Sequence, residues 1–355
     1  MVERALMSGN EACGRGALDA GVELFFGYPI TPQSEIMEFI ARELPKAGGV
    51  FLQSECELAT AGMVFGASHT GKRAMTASSG PGVSLMQEFV SLMSFTQLPA
   101  VIVDVVRFGP GTGSGQTSQT DYRQLTKGGG HGGYRCVVFA PWSAQECYEL
   151  TQKAFYLADK YRMVVYVMTD FTVGQSTEMV EIKGSIDFGP LPSKEEWALV
   201  TPSNRGGKLL GMGMGQDMVG YHLSAIEKYN KVSENEVMYD TYMTEDAEIL
   251  LASFGYAARM AQGAVDLARA EGLKVGLFRP ITCWPFPSDA LKDLASRVKK
   301  ILVVEHNSGL MVDDVEIVVQ GSIPVHLLGI WGCHVRGGSG LIYPERILQE
   351  VKSLP

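Results

Sequence analysis

Short apolar runs alternate with helical patterns along the first 170 residues, and this alternation restricts the fold more than any other feature. Glycine, proline or polar residues bound each run, as expected of buried strands. The predicted strands cover residues 22–26, 49–52, 73–78, 98–106, 137–139 and 163–168. Helical segments lie between them, at 11–20, from 32 to before 45, from 57, after the 79–82 loop and at 143–160. Such alternation predicts an α/β fold with a doubly wound parallel sheet.

A second α/β pattern follows a long stretch of weak periodicity. It predicts strands at 249–252, 275–278, 300–305 and 323–328, with helices at 257–271 and 288–298. The glycine-rich and polar residues before it are typical of a connecting arm. Because 355 residues exceed the usual length of one domain, we predict two domains. The predicted boundaries are a first domain at 1–185, an arm at 186–245 and a smaller α/β domain at 246–355.

A proline-rich turn at 27–32 follows the first predicted strand of the large domain. Pro29 and Pro32 each fix one φ angle, and Thr31 is expected to cap a helix that Pro32 begins. The cap would place free N–H groups at the carboxyl end of a strand, where open α/β sheets bind ligands and helix N-termini attract anions. The turn therefore suits a carboxylate, although Thr31 taken alone could be an ordinary N-cap.

Two charged residues follow other predicted strands. Glu57 opens a helix of small, apolar residues, where a carboxylate interacts favourably with the helix dipole. Arg107 stands at the carboxyl end of a long apolar strand, on the same edge of the sheet as Thr31. Its guanidinium could bind a carboxylate at two points, or it could form a structural ion pair.

Four segments of the large domain closely resemble the alpha subunit of the 2-oxoacid:ferredoxin oxidoreductases. They are YPITP (28–32), LQSECELATAGMVFGA (52–67), TASSGPGVSLMQE (76–88) and VDVVRFGPGTG (103–113). Within that family, GYPITPQ, GVFLQ and TKGGGHG (126–132) look most like the branched-chain, 2-oxoisovalerate enzymes. The resemblance covers nearly the whole chain and is densest from about residue 9 to 174.

The resemblance implies a thiamine-diphosphate pyrimidine-binding domain followed by a transketolase C-terminal-like domain. Glu57 matches the glutamate that hydrogen-bonds the aminopyrimidine ring, and it is the implied catalytic residue. Thr31 and Arg107 match positions that hold the substrate carboxylate. The implied cofactor-binding residues are Tyr28, Pro29, Ile30 and Glu57. The implied reaction is oxidative decarboxylation of a 2-oxoacid, with the acyl group passing to coenzyme A and electrons to ferredoxin.

The chain lacks a Gly-Asp-Gly followed by Asn, the pattern that holds magnesium and the diphosphate in thiamine enzymes. No metal site is therefore expected on this chain, and thiamine diphosphate would be shared with a beta subunit that carries Mg²⁺. The resemblance also implies a gamma subunit, a ferredoxin-like delta subunit with [4Fe-4S] clusters, external ferredoxin and a dimer of heteromers. The six scattered cysteines form no Cys-x-x-Cys pair, which favours a reducing cytoplasm and gives no cluster ligands.

Composition excludes some partners and leaves some alternatives open. A formal charge of −9 without a basic run argues against nucleic acid and an anionic membrane surface. The side-chain pocket is not identified, so 2-oxoglutarate, pyruvate or an aryl 2-oxoacid remain alternative substrates, and a non-catalytic structural subunit remains an alternative role. The missing diphosphate pattern disfavours a complete thiamine decarboxylase. The loop at 109–115 and His131 could border the site, whereas His306 is expected to be structural.

Overall fold

The computed structural model describes residues 3–195, 197–199, 218–331 and 340–355. In these residues the strands are β1 (Glu3–Ser8), β2 (Leu24–Gly27), β3 (Val50–Gln53), β4 (Ala74–Ser78), β5 (Ala100–Phe108), β6 (Ser114–Thr117), β7 (Val137–Phe139), β8 (Val164–Asp170), β9 (Thr177–Ile182), β10 (Tyr239–Tyr242), β11 (Ile249–Ala252), β12 (Val275–Pro280), β13 (Thr282–Trp284), β14 (Lys300–Glu305) and β15 (Val325–Gly329).

The helices of the same residues alternate with these strands, and a single 3-10 turn covers Pro45–Ala47. They are α1 (Gly9–Asp19), α2 (Ser34–Glu43), α3 (Glu57–Ser68), α4 (Pro81–Thr96), α5 (Tyr122–Thr126), α6 (Ala144–Tyr161), α7 (Phe171–Gln175), α8 (Met218–Asn235), α9 (Gly255–Ala270), α10 (Ser288–Ala295), α11 (Met311–Val319) and α12 (Pro344–Ser353). No described helix is both long and apolar enough to cross a membrane.

The large sheet confirms the predicted doubly wound architecture. Its strand order is β13-β7-β8-β5-β4-β2-β3, with parallel pairing from β7 to β3, antiparallel β13 at one edge and β6 paired only with β5. Side chains of β5 alternate between two apolar cores: Val103 and Val105 belong to one, Ile102 and Val106 to the other. This alternation buries the strand on both faces, because successive side chains of a strand point to opposite sides.

The second sheet, in the order β10-β12-β11-β14-β15, is parallel except for its edge strand β10. The four strands predicted for this region are present, and their ends lie within two residues of the predicted ends. The predicted arm contains secondary structure. Helix α8 lies within it, and its strand β10 joins the second sheet. Val219, Leu223 and Ile226 of α8 have the i, i+4, i+7 spacing of an amphipathic helix, although all three are exposed, so the signal for this helix was present in the sequence. The exact domain boundaries stay a prediction.

The two sheets are joined by β13 and by buried polar contacts. The guanidinium of Arg279 on β12 is almost fully buried, forms an ion pair with Glu146 of α6 and lies 3.8 Å from the centre of the Trp142 ring. Gln119 donates to the carbonyl of Phe254 and accepts from the backbone N–H of His306. These contacts fix the loop after β14 against the carboxyl edge of the large sheet.

Candidate active site

The carboxyl ends of β2, β3, β4 and β5 lie at one edge of the large sheet, because these strands are parallel neighbours. Each end leads into a segment singled out in the sequence. The 28–33 turn follows β2, the start of α3 follows β3 and the Ser79–Gly80 turn follows β4. Open α/β sheets bind ligands at such an edge.

Thr31 does not cap a helix, so that prediction was wrong. Helix α2 begins at Ser34, and its N-cap, Gln33, makes no side-chain cap bond. Tertiary contacts hold the turn away from the helical path, since the Pro32 carbonyl accepts from Asn10 (2.7 Å) and Gln175 (3.2 Å). Gln33 also donates back to the Tyr28 carbonyl at 3.0 Å. The Thr31 side chain is consequently exposed at the edge of the sheet.

Glu57 is the first residue of α3, where the Cys56 sulfur accepts the capping hydrogen bond from the Ala59 N–H. The Glu57 side chain is buried, and within the described chain its carboxylate has no hydrogen-bond or ion-pair partner. A Cβ added at Gly82 would lie 2.7 Å from Glu57 Oε1 and 2.2 Å from Ser78 Oγ. Glycine at position 82 therefore makes the space that the Glu57 carboxylate occupies.

Arg107 lies inside β5 rather than after it, because pairing with β6 extends the strand to Phe108. Its guanidinium donates to the carbonyls of Thr31 (2.9 Å) and Thr112 (2.5 Å), and its buried Nε has no partner. The structure thus brings Thr31 and Arg107 into contact, as their shared edge suggested. The Ser79–Gly80 turn and the start of α4 separate Thr31 and Arg107 from Glu57. Gly80 faces Arg107, and Gly82 faces Glu57.

A cleft of about 680 Å³ opens beside Arg107. Its lining combines the Gly80 turn, the loop after Arg107, the start of α5 and the loop after β14. The lining residues are Gly80, Pro81, Ser84, Arg107, Phe108, Gly109, Pro110, Gly111, Thr120, Asp121, Gln124, Asn307, Ser308, Leu310 and Trp331. Arg107 is the one cation among these described residues.

The second α/β region contributes to this cleft, because its residues 307, 308, 310 and 331 form one wall. They were missed because they follow β14 and β15 without a motif. The 109–115 loop borders the cleft at its first three residues. His131 does not, since it lines a separate depression of about 400 Å³ between α4 and α8.

His306 is buried and its Nδ1 contacts the Tyr256 hydroxyl, as a structural residue would. Burial, assisted by the nearby charge of Arg346, lowers the pKa of His306 to about 4, so the ring is neutral at pH 7. Among the described residues no group of three or more His, Cys, Asp or Glu side chains could hold a metal ion.

Two aspartates near the cleft were not identified from the sequence. Asp104 interrupts the apolar strand β5 and is completely buried, and Asp121 lines the cleft. Burial and then the neighbouring Asp121 raise the pKa of Asp104 well above its ordinary value. Burial raises the pKa of Asp121 to about 6. A charged residue inside an apolar strand was the available signal for Asp104, whereas no local pattern indicated that Asp121 lies beside it.

Two family models match the chain. Residues 15–197 match the family model described as the thiamine diphosphate-binding domain of pyruvate flavodoxin/ferredoxin oxidoreductase. Residues 247–336 match the model of pyruvate:ferredoxin oxidoreductase core domain II. The two matches correspond to the two α/β regions of the structure.

Three similar proteins cover nearly the whole chain. Ketoisovalerate oxidoreductase subunit VorB of Methanothermobacter marburgensis is 44% identical over 98% of this chain and 97% of its own. The 2-oxoglutarate synthase subunit KorA of Methanothermobacter thermautotrophicus is 37% identical over 99% of both. The solved 2-oxoglutarate:ferredoxin oxidoreductase of Magnetococcus marinus, with 2-oxoglutarate, coenzyme A and succinyl-CoA bound, is 28% identical with a TM-score of 0.86. That match covers 99% of this chain and 65% of the solved one.

Proposed function

The chain belongs to the thiamine diphosphate-dependent 2-oxoacid:ferredoxin oxidoreductase family, and we propose that it is the alpha subunit of an enzyme for branched-chain 2-oxoacids. The proposed reaction converts 2-oxoisovalerate and coenzyme A to the acyl-CoA and CO₂, with electrons passing to ferredoxin. The observation that carries this proposal is the buried Glu57 carboxylate, without a described partner, on the ligand-binding edge of the sheet.

Glu57 fits thiamine diphosphate because a buried carboxylate needs a hydrogen-bond donor, and the aminopyrimidine ring offers one. Gly82 and the start of α3 fix the position of its oxygens. The backbone of Tyr28, Pro29 and Ile30 borders the same edge and is proposed to contact the cofactor. When bound, thiamine diphosphate supplies the carbon nucleophile and electron sink that decarboxylation requires.

Arg107 and Thr31 are proposed to hold the substrate carboxylate. The guanidinium has five N–H donors, and only two of them are used by the carbonyls of Thr31 and Thr112. The remaining N–H of each terminal nitrogen and the exposed Thr31 hydroxyl would hold the anion, whereas the buried Nε faces Gly80. Fixing that anion orients the carboxylate bond that must break.

The chemistry of the cleft favours a branched aliphatic 2-oxoacid. Phe108, Pro110, Leu310 and Trp331 give it a largely apolar lining. Its one described cation, Arg107, is already required for the carboxylate next to the keto group, so the second carboxylate of 2-oxoglutarate would lack a partner. Greater identity to the ketoisovalerate subunit than to the 2-oxoglutarate subunit supports the same choice.

We also propose that partner subunits complete the site. Leu52, Leu58 and Leu85 are about half exposed near Glu57, as expected of a surface that another subunit covers. A beta subunit would bind Mg²⁺ and the diphosphate, a ferredoxin-like delta subunit would carry [4Fe-4S] clusters and a gamma subunit would complete the complex. Coenzyme A and external ferredoxin would be the further reactants, in a cytoplasmic dimer of heteromers.

The test is viologen reduction by the complex purified through this chain, with coenzyme A and 2-oxoisovalerate, 2-oxoglutarate, pyruvate or phenylglyoxylate. We expect the highest kcat/KM with 2-oxoisovalerate. Preference for another acid would reject the branched-chain assignment, and reduction with none would reject the oxidoreductase function for this complex.

Glu57→Gln distinguishes a catalytic from a structural subunit, because it keeps the shape of the side chain but not its charge. We expect activity to fall by about 10²–10⁴-fold. Glu55→Gln is the matched control, since Glu55 is exposed two residues away. Equal activity of both variants would favour the non-catalytic structural role.

A further inference from the structure

The carboxyl group of Asp104 is buried in the centre of the large sheet. It is completely buried on β5, and neither of its oxygens meets an N–H or O–H donor with good hydrogen-bond geometry. An ionised carboxylate in such surroundings would be strongly destabilised. Asp104 is therefore expected to keep a proton.

Asp121 is the acceptor for that proton. It is the N-cap residue of α5, but its side chain makes no cap bond, unlike most aspartates at that position. Its carboxyl group is close enough to that of Asp104 for each to shift the pKa of the other, and its buried Oδ2 has no described hydrogen-bond partner. Two adjacent carboxyl groups resist double ionisation, so the pair shares one proton and one negative charge near neutral pH.

The pair lies next to the proposed substrate-binding arginine. A Cβ added at Gly80 would be 3.9 Å from both Arg107 Nε and Asp121 Oδ2, which places these atoms on either side of one glycine. The Gly80 N–H lowers the pKa of both carboxyl groups, and Arg107 lowers that of Asp121. Among the described residues, Tyr166 on β8 also senses Asp104, and its raised pKa keeps the hydroxyl neutral at pH 7.

Resting on the proposed function, we infer that the Asp104–Asp121 pair takes up a proton when the 2-oxoacid carboxylate binds beside Arg107. The bound carboxylate adds a negative charge next to ionised Asp121. Like charges favour the protonated form, and the pair has a second acceptor position for the proton. The two aspartates are therefore positioning residues that set the affinity for the substrate anion, without touching the reacting bond.

This coupling predicts a specific pH profile. Burial raises the pKa of Asp121 to about 6 in the free site, so KM for the 2-oxoacid should be lowest below about pH 6 and rise toward about pH 8. The rise should be about tenfold for each unit by which the bound carboxylate raises the pKa of Asp121. This coupling acts on the affinity for the intact carboxylate, so KM is its readout, whereas kcat also reflects the loss of that negative charge as CO₂ forms.

Two asparagine variants should move KM in opposite directions. Asp121→Asn cannot ionise and leaves Asp104 protonated, so KM should be low and independent of pH. Asp104→Asn donates an amide N–H to ionised Asp121, so KM should stay high from about pH 6 to about pH 8. A merely structural role would instead raise KM or lower kcat in both variants.

Calorimetry tests the proton directly in the wild-type complex. Binding of 2-hydroxyisovalerate, which has the carboxylate but no keto group, is measured at about pH 7 in two buffers of different ionisation enthalpy. We expect proton uptake in the wild type and none in Asp121→Asn. An active complex whose binding heat does not depend on the buffer overturns this inference alone, whereas a complex that oxidises no 2-oxoacid overturns the proposed function and the inference with it.

Discussion

Replacing Gly82 with alanine tests whether the exact position of the Glu57 carboxylate matters. The added methyl group would lie 2.7 Å from both Cγ and Oε1 of Glu57, and 2.2 Å from Ser78 Oγ. The serine hydroxyl can rotate away, but Glu57 must move by about 0.7 Å to reach an ordinary contact of 3.4 Å. The substitution thus displaces the carboxylate without changing its charge.

The expected loss of reaction rate follows from this displacement of the carboxylate. A misplacement of about 1 Å can reduce a rate by about 10²-fold, which is about 2.7 kcal/mol of transition-state stabilisation. The fold should suffer less, because alanine is favoured over glycine in a helix by about 1 kcal/mol and offsets part of the steric cost. We therefore expect a large loss of 2-oxoacid oxidation with a small change in the free energy of unfolding.

The assay is viologen reduction at saturating thiamine diphosphate, together with the cofactor concentration that gives half-maximal activity. Gly66→Ala is the control, because Gly66 lies in α3 and a Cβ there meets no atom within 4 Å. That variant should keep full activity. Wild-type activity of Gly82→Ala would refute the argument that Gly82 sets the position of Glu57.

Two further predictions concern the junction between the sheets. Arg279→Ala should reduce the free energy of unfolding by about 3–5 kcal/mol, because it leaves Glu146 unpaired and empties the space over Trp142. Denaturant unfolding measures this, and Arg297→Ala, at an exposed ion pair, should cost less than about 1 kcal/mol. His306→Gln should reduce the acid sensitivity of the fold. The native pKa of His306, about 4, is below its ordinary 6.5, so the unfolded chain binds the proton first and stability falls from about pH 6.5 toward pH 4. An equal loss of stability between pH 7 and pH 5 in both proteins would contradict this role.

Local sequence determined most of the large domain. The six predicted strands are all present with boundaries within two residues, because apolar runs of this length must be buried whatever their neighbours. Glu57 was correctly placed at the start of its helix for a similar reason, since helix N-termini favour a carboxylate. The sequence also indicated that Thr31 and Arg107 share one edge, because parallel strands all end on the same side.

Only the tertiary structure decided how those elements meet. Thr31 does not cap α2, because Asn10 and Gln175 donate hydrogen bonds to the Pro32 carbonyl and hold the turn away from the helix. Both donors are distant from Pro32 in the sequence. The loop after β14 became a wall of the cleft through packing between the two sheets. The contact between Asp104 and Asp121 likewise requires the chain to return across the end of β5. Local patterns record which residues are buried, but the pairing of distant groups is set by packing, and the chemistry of this site depends on that pairing.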